Sequence, residues 1–139
     1  MRSFLGLALL ALAACDAAAV DDPADIDVAA LSKDPALLVG QWELISTTTV
    51  GWAAPVTTTA VAPGLAAYVF RPDGTATVAA NGRFRAETEW AVESLEQVGT
   101  VLRIGAEAEY GRAFFGVTAR RLYIDHRPAD GPLKTYARR

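Results

Sequence analysis

Cysteine occurs once in these 139 residues, at position 15, and histidine once, at position 126. A single thiol excludes an intramolecular disulfide, so no disulfide framework supports the fold. One histidine and one thiol are too few nitrogen and sulfur ligands for an ordinary transition-metal site, and no cofactor is expected. Basic charge is short as well: 13 Lys and Arg stand against 16 Asp and Glu, a formal net charge of -3. Nucleic acid is therefore excluded as a partner, because phosphate binding needs a basic surface. The late basic residues Arg120, Arg121, Arg127, Lys134, Arg138 and Arg139 read as solvated strand faces. Also missing are a long amphipathic helix and an apolar run of the roughly 20 residues that cross a bilayer. The length suits one domain.

The apolar run that is present lies at the start. Arg2 is a positive n-region, and Phe4 to Ala14 is an uncharged stretch rich in Leu and Ala. Small residues follow, as they do before a signal-peptide cleavage point. The tetrapeptide Leu12-Ala13-Ala14-Cys15 resembles a bacterial lipobox, in which the thiol accepts a lipid before the peptidase cuts in front of it. The resemblance implies a signal peptide over 1–14 and a palmitate-bearing Cys15 as the mature N-terminus. It also implies a periplasm-facing protein held to the membrane of the bacterial envelope by lipid alone. Asp16 leans this toward the inner membrane. Cleavage removes only Arg2 among the charged residues, leaving 12 basic against 16 acidic. Residues 15–33 then read as a flexible acidic tether: Asp21, Asp22, Asp25 and Asp27 interrupt an Ala-rich segment with Pro23 and no aromatic residue. Such a segment buries too little apolar surface to offset its ordering entropy, although a short helical patch is compatible with Ile26 to Leu31. Its reach is roughly 25 Å on random-coil scaling.

From Asp34 to Arg139 the pattern is all β. Strands are predicted at 40–50, 67–70, 75–80, 83–93, 99–104, 109–117, 121–125 and 132–138, from β-branched content and period-two alternation. Along 83–93, Phe84, Ala86, Thr88, Trp90 and Val92 share one face; Arg85, Glu87, Glu89, Ala91 and Glu93 share the other. Turn signals separate the strands at Arg71-Pro72-Asp73-Gly74, Asn81-Gly82 and Asp130-Gly131. Eight short strands joined mainly by tight turns predict a small antiparallel up-and-down barrel, whose closure removes exposed edges. One connection is long, Gly51 to Leu65, with Trp52, Pro55 and Pro63-Gly64. Connections of that length usually serve function or are mobile.

The first strand reads Leu38-Val39-Gly40-Gln41-Trp42-Glu43-Leu44, after a predicted helical turn over Asp34 to Leu38. This resembles the opening of lipocalin-like (calycin-type) barrels, with their Gly-x-Trp on strand one. Tyr68-Val69-Phe70 before the Pro72-Asp73-Gly74 turn, and Trp90 on a later strand, are similar to small bacterial lipocalin-like lipoproteins. The resemblance spans about residues 34–139. It implies that Gly40 and Trp42 form a closed barrel floor, with Arg138 or Arg139 from the last strand packed across the indole. It also implies a role in binding a small hydrophobic ligand. Periplasmic inhibitors of secreted metalloproteases open in a similar way. They imply the alternative: a protease inhibitor or envelope interaction module with a protein partner, a solid barrel and a working N-terminal arm. Members of that second family usually carry a disulfide that this chain cannot make.

No catalytic constellation emerges, so binding rather than catalysis is expected. His126 beside Asp125 reads as a surface or hydrogen-bonded histidine, and Ser32, Ser46 and Ser94 sit in no activating turn. The pairs Glu87/Glu89 and Glu107/Glu109 share strand faces, and the first pair lies opposite Phe84 and Trp90, toward solvent. Candidate interior residues are Trp42, Tyr68, Phe70, Phe84, Trp90, Phe114 and Tyr136. They line an apolar pocket or fill the barrel. Eight strands leave room for side chains or one small ligand, and that geometry favours filling.

Overall fold

The alternating segments resolve into nine strands in a computed structural model described over residues 25–51, 54–105 and 111–139. They are β1 (Gly40–Thr49), β2 (Thr57–Ala60), β3 (Ala66–Phe70), β4 (Thr75–Ala80), β5 (Phe84–Leu95), β6 (Gly99–Ile104), β7 (Arg112–Val117), β8 (Arg121–Asp125) and β9 (Leu133–Arg138). All pairings are antiparallel, and β9 returns to β1. Strands β1 and β3 to β9 thus form a closed eight-stranded barrel, and β2 is an extra strand.

The extra strand corrects the reading of 51–65 as one long connection. Thr57, Thr58 and Thr59 are β-branched and pair with Thr49, Thr48 and Thr47, extending β1 as a two-stranded ribbon. The Thr48 and Thr58 hydroxyls hydrogen-bond across the pair at 2.9 Å. One edge of β1 is therefore divided: Gly40 to Glu43 pairs with β3, and Ser46 to Thr49 pairs with β2. Its other edge follows β9 from Trp42 to Thr48, with a bulge between Leu44 and Ser46. The β4–β5 hairpin turns through the three residues Asn81, Gly82 and Arg83, and the first two stand at positive φ (54° and 66°), which Asn and Gly adopt most readily.

Asp34 caps a single helical turn, α1 (Pro35–Leu38): its carboxylate accepts from the Ala36 N–H at 2.9 Å, and Pro35 supplies a preset φ. Period two then sends Trp42, Leu44, Phe70, Ala76, Trp90, Leu102, Ala113, Phe115, Val117, Leu122, Ile124 and Tyr136 into one interior cluster, which Leu38 completes from α1.

The expected tether needs a second correction. Residues 15–24 lie outside the described residues, but Asp25 to Lys33 is docked on the outer wall. Val28–Ala30 forms a 3-10 turn capped by Asp27, and Val28 is 4% exposed. Val28, Tyr123 and Leu133 make a second apolar cluster, with Ile26 and Leu31 against it. Ser32 bridges Val117, whose N–H donates to the Ser32 carbonyl at 3.0 Å. The wall is shaped for this arm: a Cβ on Gly116 would stand 2.6 Å from the Leu31 Cβ and 2.9 Å from the Val28 carbonyl oxygen. Three apolar side chains in a short stretch outweigh the Ala and Asp composition once the wall supplies a matching surface.

Candidate functional site

The two ends of the barrel are built from different side chains. At one end Trp42 is fully buried, and its indole N–H donates to the Leu38 carbonyl at 2.7 Å. Arg138, paired with Trp42 across β1 and β9, holds its guanidinium carbon 4.3 Å from the centre of the Trp42 rings. The same guanidinium donates to the carbonyls of Val39 (2.9 Å), Ala119 (2.9 Å) and Leu37. Gly40 sits at φ 135°, and a Cβ there would lie 2.6 Å from Arg138 Nη1, so the cation fits because residue 40 has no side chain. Arg139 turns away and pairs with Glu43. Glu43 also accepts from the Gly64 N–H at 2.6 Å; that bond, then Arg139, holds its carboxyl below the usual range. Phe70 and Trp90 lie next in this end, ring centres 5.2 Å apart, and the Trp90 N–H reaches the Arg71 carbonyl at 3.0 Å.

Toward the other end the inward side chains become smaller: Val78 and Ala86 across the β4–β5 pair, Ala113 on β7, with Leu102, Ile104 and Ile124. They border a cavity of about 740 Å³ that opens at the rim formed by Gly105, Gly111, Ala129, Gly131 and Pro132. Its polar wall comprises Tyr68, Thr88, Arg112, His126 and Lys134. The Tyr68 and Tyr136 rings are tilted against each other with centres 5.2 Å apart, and their two hydroxyls interact. Burial raises both phenols above their ordinary value, Tyr136 most, so both stay protonated. His126 is held below its ordinary value by burial and then by the charge of Lys134, against the opposing charge of Asp125. It is neutral at pH 7.

The seven aromatic candidates therefore separate. Trp42, Phe70, Trp90 and Tyr136 fill the closed half, and among the candidates whose side chains are described Tyr68 alone borders the cavity. The side chain of Phe84 lies outside the described residues. Phe114 is a correction: it faces outward, opposite Asp125 and Val101, and borders a second hollow of about 550 Å³ beside the arm. Adjacent residues on a strand point to opposite faces, so Phe114 and Phe115 cannot both enter the barrel. Phe115, fully buried, is the one inside. The signal that finds it is the count from Val117, with Gly116 between them under the arm.

Cys15, Trp52, Glu107 and Glu109 lie outside the described residues. Glu87 faces solvent and pairs with Arg71 at 2.8 Å. Asp125 is buried on the outer wall; burial pushes its carboxyl up, but the Arg127 guanidinium and N–H outweigh this and hold it below the ordinary range. Among the described residues, no three of His, Cys, Asp and Glu converge as a metal site would need. Compared with protein-family models, with curated proteins and with solved structures, the chain matches none.

Proposed function

We propose that this protein is a lipid-anchored component of the bacterial envelope whose barrel binds a small, mainly apolar molecule without transforming it. The observation that carries the binding role is the cavity: about 740 Å³, bordered chiefly by aliphatic and small residues, open at one rim and closed at the other end by Trp42 and Arg138. Small-molecule sites are concave and mostly apolar, with a few placed polar groups, and about 300–1,000 Å³ is their usual size. The lipid anchor rests on the sequence, on Leu12-Ala13-Ala14-Cys15 behind an apolar run.

The inhibitor reading draws on the ordered arm, Asp25 to Lys33. Its apolar residues, however, face the barrel wall, and Lys33 donates to the carbonyls of Val28 and Phe115. An arm held this way would have to detach before entering a protease cleft.

A neutral, polarity-sensitive dye such as N-phenyl-1-naphthylamine tests the binding role. The full chain should enhance its fluorescence saturably, and Ala86→Trp, which puts a large side chain into the cavity, should weaken the enhancement while costing at most about 1–3 kcal/mol of unfolding free energy. Absence of enhancement with the wild-type chain, or enhancement undiminished in the variant, sinks the proposal.

A further inference from the structure

The arm runs along the outer wall from one end of the barrel to the other. It begins at the open end: the Ile26 carbonyl accepts from the Arg127 guanidinium at 3.5 Å, in the short 3-10 turn Arg127–Ala129 between β8 and β9. Ala129, Gly131 and Pro132 of that connection border the cavity. The arm finishes toward the sealed end, where Ser32 bridges Val117 at the close of β7 and Asp34 caps α1, whose Leu38 carbonyl holds the Trp42 indole. The chain from the anchor therefore meets the barrel at its open end. Residues 16–24 separate Cys15 from Asp25, and a chain of that length spans at most about 35 Å. An arm released from the wall would move the point of attachment to Asp34, at the sealed end.

Exposed apolar surface is distributed in the same way. Among the described residues four large apolar side chains are about half exposed, and three of them stand at the open end. Val50 (53%) follows β1 and Val56 (47%) precedes β2, at the outer part of the β1–β2 ribbon. Leu65 (42%) precedes β3, and its carbonyl accepts from the Gly82 N–H in the β4–β5 turn at 3.2 Å. Val50 and Gly51 border a hollow of about 460 Å³ with Arg127, Asp130 and Gly131, so the ribbon stands beside the place where the arm begins. The fourth, Val98, lies on the β5–β6 turn toward the sealed end and borders the hollow beside the arm.

We infer that the barrel rests with its open end on the lipid surface that holds its anchor, with Val50, Val56 and Leu65 facing the bilayer and the docked arm fixing that orientation. The inference rests on the lipid anchor proposed above and not on the binding role. Three half-exposed side chains bury too little apolar area to hold a free protein on a membrane. A short tether makes the contact intramolecular and raises the effective concentration of lipid at this end, so shallow burial suffices.

The full lipoprotein, isolated with the lipid on Cys15 and placed in phosphatidylcholine vesicles that contain a headgroup-nitroxide lipid, tests this. Lipidated Cys15 leaves the chain no other thiol, so a fluorophore attaches only where a cysteine is introduced. Arg83→Cys places it in the β4–β5 turn at the open end, and Arg120→Cys in the β7–β8 turn at the sealed end, next to the Ala119 carbonyl that Arg138 holds. The nitroxide should quench the label at 83 strongly and the label at 120 little. Val28→Asp puts a charge into the apolar cluster that docks the arm, and should weaken quenching at 83 while raising it at 120. Val50→Glu with Val56→Glu alters exposed side chains only, and should weaken quenching at 83 with the arm still docked; it carries the test if Val28→Asp does not fold. Equal quenching at the two positions, stronger quenching at 120, or quenching at 83 that neither variant moves overturns the inference. Disulfide-linked pairs through residue 83 in place of quenching would assign the apolar end to a second copy and overturn it as well. Mass spectrometry of the same sample keeps the two readings apart: a chain without lipid on Cys15 overturns the anchor, and the inference with it.

Discussion

The two ends of the barrel share strands and differ in what those strands carry. At the Trp42 end β1 and β9 present an indole and a guanidinium in direct contact, and α1 seals them. Further along the same two strands β9 presents Lys134, and β1 keeps β9 on one edge while it takes β2 on the other. One end concentrates large side chains, with the Trp42 and Trp90 indoles and the Arg138 guanidinium hydrogen-bonded; the other combines smaller side chains with a polar wall that includes Tyr68, Thr88, His126 and Lys134. The difference teaches where stability and binding reside. The closed end fixes the register of the closure, so the open end can keep a cavity without collapse.

The sharpest test removes the closed end. Trp42→Ala should cost about 3–5 kcal/mol, the usual loss for truncating a buried large aromatic. That is a large share of the roughly 5–15 kcal/mol available to a domain of this size. Urea denaturation measures it. A loss no greater than that of Ala86→Trp at the open end would erase the contrast between the two ends.

Next in size is Arg138→Met, which keeps most of the side chain's volume and removes the cation. It forfeits the contact with Trp42 and donors to three carbonyls, those of Leu37, Val39 and Ala119. About 2–3 kcal/mol is expected. Gly40→Ala should approach the same loss by a different route, since its Cβ would displace that guanidinium from a backbone at positive φ. The double variant should then lose less than the sum of the two, because both act on one contact. Full additivity would show that Gly40 and Arg138 are independent.

A smaller effect is expected on the outer wall. Gly116→Val places a branched side chain where Leu31 and the Val28 carbonyl now sit. The arm should lift, at about 1–2 kcal/mol, and the amides of residues 26–33 should lose protection from hydrogen exchange. Unchanged protection would mean the arm is held by something other than this contact.

How far these features could be read from the sequence varies along the chain. The barrel was readable because period two and the Asn81-Gly82 and Asp73-Gly74 turns are local signals. The placement of Arg138 over Trp42 came from a resemblance, with Arg139 left open beside it. The arm was not readable: Ile26, Val28 and Leu31 acquire meaning only from Gly116, more than 80 residues on. The ribbon was obscured by its length, since Thr57 to Ala60 is four residues and becomes a strand through Thr47 to Thr49. At the site, aromatic residue type drew attention to side chains that fill the closed half. The cavity arises from what is small, from Val78, Ala86 and Ala113, and only the closed sheet reveals that these face one another. Lys134 carries no local signal, because a lysine on an alternating strand is most often solvated.

The smallest expected effect lies at the open end and depends on pH. His126 is the chain's one histidine, so between pH 8 and 5 it dominates any titration of stability among the side chains. Burial disfavours its imidazolium, Lys134 adds repulsion, and Asp125 opposes them only in part, so its folded value lies below 6.5. In the unfolded chain neither burial nor Lys134 acts, and the ordinary value applies. As pH falls through 6.5 the unfolded chain takes up the proton first, so stability declines; it levels once the folded histidine is protonated too. Above 6.5 both states are neutral and the curve is flat. The depressed carboxyls, Asp125 and Glu43 among them, act with the same sign but lower, losing their contribution as pH falls below the ordinary carboxylate range. Urea midpoints at pH 8, 7, 6 and 5 should therefore fall in the wild type and stay level in His126→Gln. The Arg138→Met variant leaves His126 in place and should keep the wild-type slope on a lower baseline. A slope that persists in His126→Gln would place the titrating group elsewhere, and stability rising on acidification would reverse the sign assigned to His126.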